Sequence, residues 1–322
     1  MRSIRRRGAL TAAVVLGALI APASALAAAP TVTTGGVSLI TQNGGKLKGT
    51  IDPNGTATSY IFQFGTTELY GTQTAPLSAG KGNKAKKVSV VLSTLAPATR
   101  YHYRLVGLRG NRVFPGKDRT FKTKPQPLGV SLAATPNPIR IGRQSTLAGV
   151  LSGTGNAGRR VQLQANAWPY TTGFQGGLVN DQITSATGTF SFTVFPVNVN
   201  TQYRVLMPAK PQVVSPIVVL GTVNKVTRHA KVRRGNKRGR IRFYGRIRPA
   251  LDGASVYIQK LRKGIWTNIA QTTAVHTSKG YSRYSKRVRQ KRGGRYRIIV
   301  ADVTGAHSPV VSKSFRRRHL RH

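Results

Sequence analysis

Apolar side chains recur at every second position along nearly the whole chain, and clusters of Gly, Pro, Asn and Ser separate the short runs. Residues 88–92, 161–164 and 190–194 are typical of these runs. Because alternate residues of a strand point to opposite faces, a period of two predicts strands that are buried on one side. No helical period is sustained outside the first 27 residues. The pattern predicts an all-β chain of sandwich domains.

An internal repeat sets the predicted number of domains at three. Tyr101, Tyr203 and Tyr296 each open a β-rich run and lie 102 and then 93 residues apart. A Ser-Pro pair begins 12 residues after the second and third tyrosines, at Ser215 and Ser308. The last two domains are therefore predicted to be duplicates of one another. The predicted segments are residues 28–125, 126–222 and 223–315 for the three domains and residues 316–322 for a basic disordered tail.

Two segments of the first domain resemble fibronectin type III-like domains of bacterial secreted proteins. Residues 95–101, LAPATRY, resemble the corner between strands E and F, and residues 52–65 resemble the B–C turn and strand C. The resemblance covers about residues 30–124 and implies that the Tyr101 hydroxyl bonds to the backbone upstream, as a tyrosine corner. Residues 126–315 resemble bacterial immunoglobulin-like repeats. Both families serve as spacers, adhesion modules and polymer-binding modules, so the resemblance implies no catalytic residue.

The first 27 residues have the organisation of a signal peptide: four arginines, an apolar stretch and the small-residue cleavage site Ala25-Leu26-Ala27. The alternative is an uncleaved anchor, which needs roughly 20 strongly apolar residues. Pro22 and the alanine-rich composition favour cleavage. The chain contains no cysteine, which excludes disulfides and thiolate metal sites. We therefore expect bacterial-type export to the cell envelope or medium, with no transmembrane span in the mature chain.

Positive charge is concentrated in the last third of the chain. Residues 223–322 contain 28 lysines and arginines but only two carboxylates, so they carry +26 of the formal net charge of +46. Residues 126–222 carry only +5, which a uniform genomic preference for arginine does not explain. Charge of this size predicts an extended anionic partner. The alternative is a solvated surface charge that serves solubility.

Two segments of the third domain place arginines on one predicted face. In residues 239–248, isoleucine and phenylalanine occupy one set of alternating positions, and four arginines and Tyr244 occupy the other. Residues 282–289 carry three further arginines at alternating positions. The immunoglobulin-like arrangement places two such strands in one sheet. The predicted polyanion-binding residues are Arg240, Arg242, Arg246, Arg248, Arg283, Arg287 and Arg289.

Several anionic polymers fit these seven arginines. Guanidinium binds phosphate and carboxylate through paired hydrogen bonds, and arginine outnumbers lysine by 19 to nine in residues 223–322. Wall polymers, acidic polysaccharides and nucleic acid are all compatible with this chemistry. Sequence-specific nucleic-acid binding is not expected, because there is no basic recognition helix and the interleaved tyrosines are few.

Side chains for catalysis or metal binding are sparse. No two of the six carboxylates lie within fifteen residues of each other, whereas glycoside hydrolysis needs two carboxylates about 5–10 Å apart. The six histidines show no metal-ligand spacing within a strand. Residues 153–158 match the dinucleotide-binding glycine pattern, but a strand follows where that mechanism needs a helix, so we interpret them as a hairpin loop. We therefore expect no enzymatic activity, cofactor or metal.

An aromatic group in the second domain offers a different interpretation. Trp168, Tyr170 and Phe174 lie in a Gly- and Thr-rich stretch and could stack against sugar rings. A tryptophan near strand C of a sandwich is more often part of the core, and the same applies to Trp266.

The leading hypothesis is a non-enzymatic envelope protein attracted to anionic polymers. The alternative is a carbohydrate- or protein-binding module that uses the loops around Trp168, with the charge incidental.

Overall fold

A computed structural model describes residues 28–194, 197–232, 240–290 and 293–317 of the chain. These residues form strands and turns and contain no helix. None of them lies in a helix that could cross a membrane. The predicted signal peptide lies outside the described residues. The described chain separates between Lys124 and Pro125 into two compact units, and each is considered by itself.

The first unit is one β-sandwich. One sheet has the order β1-β2-β6, and the other is built on the neighbouring strands β3 and β7. The strands are β1 (Thr31–Ser38), β2 (Gly45–Asp52), β3 (Thr58–Gly65), β4 (Thr72–Gln73), β5 (Leu77–Gly80), β6 (Lys86–Leu92), β7 (Arg100–Arg109), β8 (Arg112–Pro115) and β9 (Arg119–Lys122). Leu47, Phe62 and Leu105 are fully buried between the two sheets.

The second unit begins with another sandwich. Strand β13 pairs with β10, β11 and β16 in one sheet, and β14 pairs with β15 and β17 in the other. The strands are β10 (Gly129–Val130), β11 (Ala133–Thr135), β12 (Ile139–Arg140), β13 (Ser145–Ser152), β14 (Arg160–Ala167), β15 (Gln182–Ile183), β16 (Thr189–Val194), β17 (Thr201–Met207), β18 (Val213–Val214), β19 (Val218–Leu220) and β20 (Thr222–Val223). Leu147, Leu163 and Val205 lie in its core.

A third sandwich completes the second unit. Strand β23 pairs with β21 and β22 on one side and β26 on the other, and the second sheet has β24 and β27 at its centre. The strands are β21 (Lys225–Val226), β22 (His229–Val232), β23 (Arg240–Arg248), β24 (Ser255–Arg262), β25 (Ile265–Thr273), β26 (Ser282–Arg289), β27 (Gly294–Ala301), β28 (Val310–Val311) and β29 (Phe315–Arg317). Phe243, Val256 and Tyr296 are fully buried in its core.

The prediction of an all-β chain of tandem sandwiches is confirmed. Three separate hydrophobic cores correspond to the three sandwiches. Strand β13 of the second sandwich and strand β23 of the third each carry a central glycine, Gly149 and Gly245, where a β-carbon would collide with the carbonyl of Ser131 or Thr227. Such close backbone approach requires glycine. The residue boundaries of the domains stay predictions.

The second and third sandwiches repeat one another, but the predicted alignment of Ser215 with Ser308 is wrong. The Ser215 hydroxyl accepts a hydrogen bond from the Val205 backbone at 2.9 Å, and Ser312 does the same for Ile298 at 2.9 Å. Ser312, and not Ser308, is therefore the counterpart of Ser215. Nine residues separate the paired residues Val300 and Val310, whereas five separate the paired residues Met207 and Val213, so the third sandwich has an insertion of four residues here. This insertion shifts the second half of the repeat out of alignment.

The longer turn holds the second and third sandwiches together. Asn200, which is buried immediately before β17, donates a backbone hydrogen bond to Ala306 at 2.7 Å and a side-chain bond to Gly305 at 2.9 Å. Its side-chain oxygen Oδ1 accepts from the Thr222 backbone amide at 2.8 Å and from the Ser308 hydroxyl at 3.1 Å. We call these five residues the sandwich junction. The second unit is therefore joined by buried polar bonds as well as by the chain.

The last strand extends into the segment that was predicted to be a disordered tail. Arg316 pairs with Arg295 and Arg317 pairs with Gly294, so both are part of β29. Phe315 packs against the core beside Phe243, which fixes the strand against the edge of β27. The prediction of a disordered tail is wrong for Arg316 and Arg317, and residues 318–322 lie outside the described residues.

The tyrosine corner of the first sandwich is present. The Tyr101 hydroxyl accepts a hydrogen bond from the Ala96 amide at 2.9 Å, as the resemblance implied.

Replacing Tyr101 by Phe leaves that partly buried amide without its partner, so we expect a loss of about 1 kcal/mol in unfolding free energy. Urea unfolding measures it. Tyr60→Phe is the control, because the Tyr60 hydroxyl makes no hydrogen bond among the described residues; equal losses in both variants would contradict the corner.

The sandwich junction gives a second stability prediction. Asn200→Ala removes three side-chain hydrogen bonds and leaves the buried Thr222 amide unpaired, which should cost about 1–3 kcal/mol. Urea unfolding of the full-length protein measures the loss. Asn198→Ala is the matched control, since Asn198 is exposed two residues away. A loss no larger than that of the control would show that the junction contributes nothing to stability.

A candidate anion-binding face

The structure brings all seven predicted arginines to one surface of the third sandwich. Strands β23 and β26 are antiparallel neighbours, and their register places arginines directly opposite one another. The opposed pairs are Arg240 with Arg289, Arg242 with Arg287, and Arg246 with Arg283. Arg248 lies opposite Lys225 of β21. All seven side chains are exposed, so the alternation of the sequence correctly predicts their direction, and their binding role stays a prediction.

Core packing fixes this direction. Ile241, Phe243 and Ile247 of β23 are almost completely buried, at 4%, 0% and 0% exposure. A one-residue slip of register would carry all three into solvent and the arginines into the core. Burying such apolar side chains stabilises the fold by about 1.5–3 kcal/mol each, whereas a buried unpaired guanidinium is strongly unfavourable. The arginines therefore face outward because the alternate residues are core.

Strand β22 and its neighbour β21 contribute cations that the sequence interpretation missed. Lys231 lies opposite Arg242, and Lys225 lies opposite Arg248. Both lysines are exposed and share a parity with His229, which lies opposite Tyr244. The alternating polar positions within residues 225–231 were the signal that could have found them. We define the basic face as the seven arginines together with Lys225 and Lys231.

The carboxylates of the third sandwich are engaged elsewhere. The Ser282 hydroxyl donates to Asp252 at 2.5 Å and, with His276, holds the pKa of that carboxyl below its usual value. Burial raises the pKa of Asp302, but hydrogen bonds from Thr304 and His307 hold it below its usual value. The opposed arginines of β23 and β26 have β-carbons about 4.5–5.5 Å apart, and their like charges repel. Asp252 and Asp302 are bonded to other groups and do not neutralise these arginines.

Aromatic rings and a hydroxyl position several of the guanidinium groups. The Arg242 guanidinium lies 5.3 Å from the centre of the Tyr244 ring, and its Nε donates to Ser285 at 2.9 Å. Arg246 and Arg248 both lie over Tyr281, at 4.8 and 5.0 Å. Such cation–π contacts stabilise exposed cations by about 0.5–1 kcal/mol. The face is thus partly preorganised in the absence of a ligand.

A groove of about 750 Å³ crosses the basic face. Arg242 lines one end, and the opposed pair Arg246 and Arg283 lines the other. Tyr244 and Ser285, which lie opposite each other, form its floor between these arginines. The groove is also lined by hydroxyl and imidazole groups, those of Thr227, His229, Thr272, Thr273 and Tyr281.

The alternative aromatic site is not an open platform. Trp168 is half-buried beside the sandwich junction, where a β-carbon added to Gly305 would lie 3.6 Å from the indole nitrogen. The Arg204 guanidinium lies 4.1 Å above the Phe174 ring. The expectation that Trp168 belongs to the core is wrong, because the residue follows β14 in a turn. Its surroundings are the contact between two sandwiches.

The same arginine–aromatic arrangement recurs in all three sandwiches. Arg104, Arg204 and Arg297 each donate from Nε to a glutamine on the neighbouring strand at 2.7–2.8 Å. Each also covers an aromatic ring, that of Tyr70, Phe174 or Trp266. Trp266 is therefore half-buried on an outer face, and the expectation that it is core is wrong. A structural repeat accounts for these aromatics.

Two carboxylates converge in the first sandwich, contrary to the expectation from their spacing. Ligand atoms of Glu68, His102 and Asp118 lie within 4.8 Å of one another. Asp118 accepts hydrogen bonds from His102 at 2.9 Å and from Tyr70 at 2.9 Å, and Arg104 lies 4.6 Å from the Tyr70 ring. His102 lies on β7, Asp118 immediately precedes β9, and Glu68 lies in the turn after β3, so the pairing of β7 with β3 and β9 brings them together, which sequence spacing could not reveal. One hydrogen bond reaches each oxygen of Asp118, so hydrogen bonding within the sandwich accounts for the cluster.

The glycine-rich segment at residues 153–158 is a loop followed by a strand. It connects β13 with β14, which lie in different sheets of the second sandwich. The interpretation as a hairpin loop is therefore wrong in its topology, because the two strands do not pair. A dinucleotide-binding helix is absent from this described segment, since β14 begins at Arg160.

Comparisons with known proteins give the following findings. No family model and no curated protein matches the chain. Among solved structures, the chain is similar to the FN1-FN3 domains of chicken CNTN1, with 13% identity over 90% of this chain and 99% of that chain and a TM-score of 0.30. It is also similar to a tetra-tandem repeat in the extending region of a large adhesion protein, with 13% identity, 90% and 75% coverage and a TM-score of 0.30.

Charge repulsion on the face predicts an unusual stability effect. Arg283→Gln removes one cation of the opposed pair with Arg246 and should raise the unfolding free energy by about 0.2–1 kcal/mol at low salt. The gain should fade in 0.5 M NaCl, where screening shortens the range of repulsion. Thermal unfolding at both salt concentrations measures it. Lys87→Gln is the control, because exposed Lys87 faces Thr50; a destabilised Arg283→Gln variant at low salt would contradict the repulsion.

Proposed function

We propose that this protein is a non-enzymatic secreted or cell-envelope protein whose tandem sandwiches carry a face that binds extended anionic polymers. The sandwiches provide spacing and structural support. The basic face of the third sandwich provides attraction to the polymer and holds the protein at the envelope surface. The proposal includes no catalytic residue, cofactor or metal.

The register of β23 and β26 is the observation that carries this proposal. It places three arginine pairs directly opposite one another on an exposed surface. Guanidinium groups in such pairs offer several donors each, and an anionic polymer supplies the negative charge that the protein itself does not place there. Binding would therefore replace repulsion between opposed cations by charge-assisted hydrogen bonds.

The chemistry of the face favours recognition of charge over recognition of bases. Tyr244 is already stacked with His229, with ring centres 5.2 Å apart. Tyr281 already contacts Arg246 and Arg248. A nucleobase that stacked on either ring would compete with these contacts. The proposal is therefore one of sequence-independent attraction, in which bound counterions are released from the polymer.

Salt dependence provides the test. Each charge neutralised on a single strand or flexible polymer contributes about −0.7 to the slope of log K against log salt, so seven engaged arginines give a slope near −5. Changing Arg240, Arg242, Arg246 and Arg248 to Gln in the full-length protein should reduce the magnitude of that slope by about 3. Fluorescence anisotropy with a labelled anionic polymer between 50 and about 300 mM NaCl measures the slope.

The matched control removes the same charge from the first sandwich. Lys81, Lys84, Lys86 and Lys87 are all exposed there, and their replacement by Gln also lowers the net charge by four. We expect this variant to retain a slope close to that of the wild type. If both variants lowered the salt slope equally, the basic face would act only as general surface charge. The same conclusion would follow if neither variant changed the salt slope.

A further inference from the structure

The groove interrupts the positive charge of the basic face. Along β23, Arg242 and Arg246 are separated by four residues, which corresponds to about 13–14 Å at 3.3–3.4 Å per residue. Tyr244 occupies the position between them, and small Ser285 lies opposite. Between Arg242 at one end and Arg246 and Arg283 at the other, which form the two cationic rows, the groove is thus lined by polar side chains without a lysine or arginine, together with the apolar Val275.

The groove offers hydrogen-bonding groups in place of charge. The Ser285 oxygen accepts from Arg242 Nε, so its own hydrogen remains able to donate outward. Thr272 and Thr273 approach from the end of β25 and add hydroxyls on one side. His229 and Thr227 add polar groups on the opposite side, from β22 and the residues before it. A volume of about 750 Å³ lies within the range of ligand-binding clefts.

We propose that the groove seats an uncharged sugar ring of an acidic polysaccharide while the two flanking rows bind its anionic groups. This rests on the proposed function of the basic face and specifies the class of polymer. In an acidic polysaccharide, sugar rings with many hydroxyls separate the carboxylate or sulfate groups. Alternation of charge and hydroxyl along the polymer then matches alternation of arginine and hydroxyl along the face.

A nucleic acid matches the groove less well. A stacked strand carries a phosphate for each 3.4 Å of helix rise, and even an extended single strand repeats its phosphate well within the distance of about 13–14 Å between the cationic rows, so phosphates would fall between those rows. Those phosphates would lie over a groove that offers no guanidinium at its floor. The tyrosines that could stack a base already contact other side chains. Nucleic acid is therefore the comparison polymer in the test.

The test fills the groove without changing its charge. Ser285→Tyr places a ring in the groove, and Ser285→Ala removes the bond to Arg242 without filling it. Thr273→Tyr fills the groove from its other side and keeps Ser285. The probes are fluorescein-labelled hyaluronate, chondroitin sulfate and oligo(dT), each measured by anisotropy with the full-length protein at constant salt. Hyaluronate alternates a carboxylate-bearing ring with an uncharged ring, whereas chondroitin sulfate carries a sulfate ester on the second ring, so the pair tests whether the seated ring must be uncharged.

We expect both tyrosine variants to weaken binding of at least one polysaccharide by tenfold or more, with oligo(dT) affinity changed by less than twofold. Ser285→Ala should weaken polysaccharide binding by only about two- to fivefold, because it removes one hydroxyl donor and leaves the groove open. Equal weakening for polysaccharide and oligo(dT), unchanged polysaccharide binding, or binding of oligo(dT) alone would overturn the groove assignment. The proposed function fails separately, if the four-arginine variant binds every probe as the wild type does. Thermal unfolding of each variant establishes that it is folded.

Discussion

The alternation of side chains along β23 is the constraint on which the candidate site depends. Ile241, Phe243 and Ile247 must be buried for the third sandwich to have a core, and the strand geometry then leaves the intervening residues no position but the surface. The same constraint acts on β26 through Tyr284 and Val288. Since both strands are held by core residues, their arginines meet in a fixed register. The candidate site is thus the outer side of two strands whose inner sides are fixed by core packing.

This arrangement has an electrostatic cost that the third sandwich relieves only in part. Cation–π contacts to Tyr244 and Tyr281 and the bond from Arg242 to Ser285 orient guanidinium groups, but they do not remove charge. The available carboxylates, Asp252 and Asp302, instead fix turns through their bonds to His276 and His307. Stability is therefore lower than a mixed-charge sheet would give. An anionic partner would restore it, because a ligand that binds only the folded state stabilises that state.

Strand periodicity made the fold and the outward direction of the seven arginines predictable, because a period of two encodes burial directly. Contacts between distant residues were not encoded in this way. Glu68 and Asp118 converge through strand pairing, and Trp168 lies against a turn of another sandwich. The lysines of β21 and β22 carry a visible alternation, but in strands too short to be recognised alone. The groove depends on a tyrosine facing a serine, which only the register reveals.

The four-residue insertion between β27 and β28 connects these observations. It disturbed the sequence repeat, and in the structure its residues Gly305 and Ala306 accept the hydrogen bonds of Asn200. The Ser308 hydroxyl, in the same turn, donates to the side-chain oxygen of the same asparagine. The insertion that obscures the duplication in the sequence is therefore also the segment that joins the second sandwich to the third.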